Sequence, residues 1–309
     1  MKLIPAARVL VAFVPLLAAG CATGPRQGWQ KVGGPLQHVS GMAFVGADGS
    51  SESQPVEFLV VHDNKQPDEP HVASVLFGYA TGVSYRRLAW PENVPPPVDL
   101  EAICPLPETP GSFLALTSAG RLLHLRYHGR RAAEALEVLH ESILPGLEQH
   151  PNLEGVAVQT LGDKTVALWA ERGDGHKPAT LYWGIYDAVA DTVTPQGKAQ
   201  VAVPYPSGRN TRHITDLRLD GGGVVWGAAA SDPGDQGPFE SAVYALGSLH
   251  LEGDRIVFQP NHAPTRLWTA RRKIEAIEFV PGAAGRVYFG SDDESAGGWL
   301  NVGRGPARQ

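Results

Sequence analysis

Short apolar runs of Val, Leu, Ile, Tyr and Trp alternate along the chain with Gly, Pro, Asp and Ser, which is the pattern of many short β-strands joined by turns. Helical periodicity is scarce. The one helix-like stretch is Arg131 to Leu147. A weak repeat underlies the strand pattern. Five segments resemble one another: Val39-Ser40-Gly41-Met42-Ala43, Leu100-Glu101-Ala102-Ile103-Cys104, Leu153-Glu154-Gly155-Val156-Ala157, Thr215-Asp216-Leu217-Arg218-Leu219 and Ile274-Glu275-Ala276-Ile277-Glu278. Their second residues are 61, 53, 62 and 59 positions apart, and four of the five are carboxylates.

Each segment is followed by a second strand that ends in a polar loop. These second strands run from Phe58 into His62-Asp63-Asn64-Lys65, from Phe113 into Thr117-Ser118, from Val166 into Glu171-Arg172-Gly173-Asp174, from Val224 into Ser231-Asp232, and from Val287 into Ser291-Asp292-Asp293-Glu294. Four strands per unit of this length is the arithmetic of a β-propeller. The fold expected is therefore all-β, a propeller of five blades, or six if a unit is concealed between Arg130 and Pro151. A β-sandwich would not explain the regular spacing. The last repeat is one strand short, and Trp29 to Val32 supplies the missing strand, closing the ring through the N-terminal segment.

The N-terminus has another character. Lys2 and Arg8 precede the apolar run Val9 to Leu17, and small residues precede Cys21, the three parts of an export signal. Leu16-Leu17-Ala18-Ala19-Gly20-Cys21 resembles the lipobox of bacterial lipoproteins. The resemblance implies a signal peptide over 1–20, lipidation of Cys21 and a tether over 21–28, followed by a propeller domain over 29–303 and a tail over 304–309. With Ala22 after the cysteine, it implies the outer membrane, periplasmic side. The chain has two cysteines, so Cys104 is left without a partner and reads as a buried small hydrophobe. The formal charge is −6, and −8 once Lys2 and Arg8 leave with the signal. Such a balance gives no general attraction to nucleic acid.

In a propeller the start of the innermost strand and the end of the second lie on one face, because the two run antiparallel. This gathers Glu101, Glu154, Asp216 and Glu275 with His62, Asp63, Asn64, Glu171, Arg172, Asp232, Asp292, Asp293 and Glu294 around one mouth of the central channel. Lys65, Arg212, His213 and Lys273 belong nearby. Gly41, Ala102, Gly155 and Ala276 fall where inner strands crowd one another. A ring of carboxylates calls for a hard cation, for rim salt bridges or for raised pKa values. No Gly-x-Ser-x-Gly elbow, His-Glu-x-x-His pair, P-loop or Cys-x-x-Cys motif is present. Ser118 reads as a turn residue, and Trp169, Trp183 and Trp226 as inter-blade packing.

Leu153-Glu154-Gly155-Val156-Ala157, Leu100-Glu101-Ala102-Ile103 and Gly290-Ser291-Asp292-Asp293-Glu294 look like the phytase-like, or "esterase-like activity of phytase", group of propellers. The resemblance implies an acidic mouth with Ca²⁺ as the candidate cation and phosphoester-type hydrolysis as the activity. Dense aspartate-rich calcium loops of that family are missing. Two functions are therefore expected. The first is a membrane-anchored module binding a small anionic ligand or a protein partner through the mouth. The alternative is a Ca²⁺-assisted phosphoester hydrolase. In that alternative Glu101, Glu154, Glu275, Asp292 and Asp293 hold the metal, His62 or Glu171 is the general base, and Arg172 and Lys273 receive the anion.

Overall fold

In the computed structural model, residues 28–47, 55–78, 81–280 and 285–305 are described; Cys21 and its lipobox lie outside them. The short β1 (Gln30–Lys31) precedes four complete four-stranded sheets. Blade 1 is β2 (Gly41–Ala47), β3 (Val56–Val61), β4 (Val72–Gly78) and β5 (Gly82–Arg87). Blade 2 is β6 (Leu100–Pro105), β7 (Ser112–Thr117), β8 (Arg121–Tyr127) and β9 (Leu136–Ile143). Blade 3 is β10 (Leu153–Leu161), β11 (Lys164–Glu171), β12 (Ala179–Asp187) and β13 (Thr192–Val201). Blade 4 is β14 (Thr211–Leu219), β15 (Val224–Ser231), β16 (Glu240–Glu252) and β17 (Arg255–Ala270). Blade 5 is β18 (Ile274–Phe279), β19 (Arg286–Asp292) and β20 (Gly298–Arg304), with β1 as its outermost strand. Every pairing is antiparallel, and β1 closes the ring against β20 through Gln30↔Leu300 and Lys31↔Trp299.

The fold is thus the expected five-bladed propeller. The helix-like stretch Arg131–Leu147 instead holds the strand β9, and no sixth blade lies there. The reason is local: β8 offers an open edge of backbone donors and acceptors, and 136–143 pairs with it. Leu136 and Val138 then turn inward on a period of two.

Apolar residues fill the five seams between blades, one cluster to each. Alternation along a strand serves two seams at once. In β11, Val166, Leu168 and Ala170 face blade 4, while Ala167 and Trp169 face blade 2. The tryptophans pack as expected: Trp169 stacks on Tyr182 at 5.6 Å, and the Trp183 indole N–H donates to the Ile256 carbonyl at 3.1 Å. Cys104 is buried and free.

Around the axis the inner strands nearly touch. A Cβ built on Gly41 would lie 2.8 Å from the Ala102 Cα and 2.9 Å from the Ile103 nitrogen. One on Gly155 would lie 3.0 Å from the Leu217 nitrogen. The glycines are required there by close backbone approach, as the sequence pattern implied.

This geometry corrects one register. The third residue of each inner segment faces the fourth residue of the next: Gly41 faces Ile103, and Gly155 faces Leu217. Asp216 faces Ile277, whose N–H it accepts at 2.7 Å. Leu153, Ile214 and Val39 also donate alike, to carbonyls of Ser118, Arg172 and Ser291 in the preceding blade. The blade 4 segment therefore begins at Ile214, and Thr215, not Asp216, corresponds to Glu101, Glu154 and Glu275. A bulge between Arg212 and Asp216 displaces the motif by one residue.

Asp216 lies deeper in the channel, wholly buried, with Arg218 at 3.2 Å. Arg218 crosses the axis. It donates to the carbonyls of Met42 in blade 1 and Ile103 in blade 2, and pairs with Glu278 of blade 5 at 3.4 Å. Four blades are thereby tied at one guanidinium, whose fork geometry suits several acceptors. Asp216 is pushed up to about 7 by burial, against the pull of Arg218.

Candidate functional site

The mouth forms where β6, β10 and β18 begin and where β3, β7, β11, β15 and β19 end. Glu101, Glu154 and Glu275 rise from three inner strands at corresponding positions and are buried. Asp63, Asp99, Asp232, Asp292, Asp293 and Glu294 surround them, together with His38, Lys65, Arg172, Arg212, Arg272 and Lys273.

Most of these charges are paired. Lys273 is buried among carboxylates, 3.1 Å from Glu275, 3.5 Å from Asp292 and 3.8 Å from Asp232, and bonded to Glu294. Burial opposes its charge, but the ring of Glu275, Asp292, Glu294 and Asp232 outweighs it and holds the ammonium far above its ordinary pKa. Arg172 reaches Glu154 at 3.1 Å. Arg212 lies 3.4 Å from Asp232. Arg272 binds Asp293, whose other oxygen accepts the Lys273 N–H at 2.9 Å, and its guanidinium stacks 3.9 Å from the Trp299 ring centre.

His38 pairs with Asp63 at 2.9 Å. Burial works against an imidazolium here, but the Asp63 bond and the Asp292 charge override it and raise His38 to about 9. Asp63 is correspondingly lowered: burial would raise it, and His38, Lys273 and Lys65 more than offset that.

Glu101 is the exception. It is 9 % exposed and makes no ion pair or hydrogen bond among the described residues. Burial first, then the charges of Glu154, Asp63, Glu275 and Asp99, raise its pKa well above the carboxylate range. Oxygens of Asp63, Asp99 and Glu101 come within 4.8 Å of one another. Ligand oxygens around a hard cation at about 2.3–2.6 Å fit inside that span. Asp99 is held by Ser118, whose hydroxyl donates at 2.6 Å, and by Lys65 at 3.2 Å. A second group, His38, Asp63 and Asp292, has the same compactness, and there His38 is already paired with Asp63 and Asp292 with Lys273.

Glu154 is pushed up to about 7 by burial, with Arg172, Lys273 and Arg212 holding it down. Glu275 is raised well above its usual range, burial again leading, against Lys273.

The expected residues are thus gathered in the main, but several roles change. His62 is fully buried; its Nδ1 donates to the His38 carbonyl, and its Nε2 faces the Tyr85 hydroxyl at 3.2 Å. Burial and the His38 charge lower it to about 3, and no water reaches it as substrate for a general base. Glu171 is buried against Tyr182, which donates to it at 3.4 Å. Glu154, Glu275, Asp292 and Asp293 each pair with a cation; of the expected metal ligands, Glu101 and Asp292 each fall in a compact, metal-sized trio, and of these two only Glu101 has no ion pair among the described residues. Arg172 is engaged by Glu154 through one nitrogen, and Lys273 is enclosed by four carboxylates. His213 sits beside the mouth, bonded to the Gly175 carbonyl at 2.9 Å.

Three residues escaped the sequence reading: His38, Asp99 and Arg272. His38 and Asp99 immediately precede an inner segment, as do Asn152, His213 and Lys273. This second polar ring was visible as a repeating polar residue before each apolar start.

No family model matches the chain, and no curated protein matches it. Among solved structures it is similar to an exo-1,5-α-L-arabinanase from a bovine ruminal metagenomic library (10 % identity, TM-score 0.49, covering 86 % of this chain and 92 % of that one). It is also similar to a thermostable family-43 glycoside hydrolase (8 % identity, TM-score 0.48, covering 91 % and 97 %). A Bacillus subtilis arabinanase is similar at 10 % identity and TM-score 0.45, over 87 % and 94 %. The five-bladed architecture itself follows from the strand order and the closure of blade 5 by β1.

Proposed function

We propose that the protein is a membrane-tethered binding module whose acidic mouth takes a hard divalent cation, Ca²⁺ first, and through it a ligand or protein partner. One observation carries this reading: Glu101 is a buried carboxylate with no hydrogen bond or ion pair among the described residues, facing Asp63 and Asp99 across a metal-sized gap. An uncompensated buried charge is costly, and a cation with several oxygen ligands offsets that cost. The exposed Lys65 is free to swing from Asp99 when the cation enters. The remaining coordination positions would be filled by water or by the ligand's own oxygens.

The tether would come from Cys21 at the outer membrane, periplasmic side. β1 runs toward the mouth, since Lys31 pairs with Trp299 and Asp292 with Gly298.

The test is calorimetry on chelator-stripped protein with Ca²⁺ and Mg²⁺, repeated with Glu101→Gln. Saturable heat and a raised melting temperature, both lost in the variant, are expected. Neither heat nor a melting shift at millimolar Ca²⁺ would remove the reading.

A hydrolase is the second reading, favoured by one feature: the mouth holds both Glu154, pushed up to about 7 by burial, and Asp63, lowered by His38 and the nearby lysines, an acid and a base with divergent pKa values. Its phosphoester form is the weaker one, because Arg172 and Lys273 are occupied. Turnover of p-nitrophenyl phosphate by pure protein, abolished by Glu154→Gln, would restore it.

A further inference from the structure

The mouth is not the only concave feature on its face. A cleft of about 510 Å³ lies between the loop joining β3 to β4 and the loop joining β5 to β6. That volume is in the range of small-molecule sites, about 300–1,000 Å³. We infer that this cleft is a binding site for a neutral saccharide ring, walled by the same two loops that carry Asp63 and Asp99.

The floor is apolar and stiff. Trp90 is half-buried, and its indole N–H donates to the Val94 carbonyl at 3.0 Å. The ring is thereby fixed and its polar edge satisfied, and with Pro91 it forms an apolar surface for the C–H face of a sugar.

The rim is mixed in charge. Arg87, Glu69 and Glu92 line it. Arg87 is anchored through one nitrogen, donating to the carbonyls of Asp68 at 2.8 Å and Glu69 at 3.0 Å, and its other nitrogens remain for a ligand. One Glu69 oxygen accepts the N–H groups of Lys65 and Gln66 at 3.1 and 2.9 Å. An anion in the cleft would face two carboxylates, and a cation would face a guanidinium. Hydroxyls suit both, since each donates and accepts.

His71 completes the floor, edge-on to Trp90 with ring centres 6.3 Å apart. It is 3 % exposed, and its ring nitrogens make no hydrogen bond of good geometry, although the Pro67 carbonyl lies close enough to favour an N–H on one of them. Burial lowers its pKa more than that carbonyl raises it, and the neutral ring keeps a second nitrogen that needs a donor. A hydroxyl reaching past Trp90 supplies that donor. Placed here, a saccharide lies beside the cation site, and the loops tie the two together: Lys65 bridges to Asp99 at 3.2 Å.

The experiment titrates the full chain with maltotriose, cellotriose, xylotriose and triacetylchitotriose by calorimetry. At least one should bind saturably. Trp90→Ala should weaken it about tenfold, equal to about 1.4 kcal/mol, and Arg87→Gln and Glu92→Gln severalfold. Glu101→Gln should lose Ca²⁺ binding and keep the saccharide, which separates this inference from the cation reading. No saturable heat with any of the four at 20 mM overturns it. So does unchanged affinity in Trp90→Ala or, should that variant not fold, in both Arg87→Gln and Glu92→Gln.

Discussion

Replacing Glu101 by Gln should stabilise the metal-free protein, and the gain should grow with pH. The glutamate's pKa is raised well above 4.5 in the folded protein, burial first and neighbouring carboxylates next. In the unfolded chain it ionises near its ordinary value. Above pH 4.5 the folded state therefore binds one more proton than the unfolded state at this site, and stability falls as pH rises until the folded pKa is passed. The slope for one such group is about 1.4 kcal/mol per pH unit. Gln has the same shape and does not titrate. Between pH 4.5 and the raised folded pKa the variant should gain on the wild type by up to that slope. The melting temperatures should therefore converge near pH 4.5 and separate progressively above it, by about 2 °C for each kcal/mol in a domain of this size. Because Glu101 has no partner among the described residues, the substitution breaks no bond that would mask the gain. Melting curves in EDTA across this range measure it. A pH-independent difference, or a less stable variant, would refute the account of Glu101 as an uncompensated carboxyl. Adding Ca²⁺ should invert the order, since the cation binds the ionised form and only the wild type carries it.

Three further outcomes are expected. Arg218→Met should cost about 3–5 kcal/mol, read as a lower urea midpoint, because it leaves Asp216 and Glu278 buried without their cation. Gly155→Ala should cost about 1–3 kcal/mol by the same assay, since its Cβ meets Leu217 at 2.9 Å from Cγ and 3.0 Å from the nitrogen. Cys21→Ser should abolish metabolic labelling by palmitate and release the protein from membranes, while the purified variant keeps wild-type melting; retained labelling would place the lipid elsewhere.

By itself, the sequence determined the architecture. Short apolar runs bounded by turn residues and a repeat near 60 residues specify four-stranded blades, because a strand buried between two seams must be apolar on both faces and end in turns. The same pattern foresaw the closure by Trp29–Val32, since the last repeat lacked a strand. It brought most of the charged residues to one mouth, because antiparallel pairing fixes which strand ends share a face.

What tertiary structure decided was pairing. Whether Asp216 faces the mouth or the axis depends on a bulge with two extra residues where blades 2, 3 and 5 have one, and a slip of one residue turns a side chain to another direction. Lys273 reads in sequence as a cation ready for a substrate, yet four carboxylates from β18, the end of β19 and the loops after β15 and β19 enclose it. His62 reads as a loop histidine and lies fully buried beneath His38. Glu101 and Glu154 look alike along the chain, and only the arrival of Arg172 from the neighbouring strand makes one paired and leaves the other alone. Composition and periodicity specify which residues can meet at a face; which charge finds which partner is settled by distances of a few ångströms, over which electrostatic energies change most steeply.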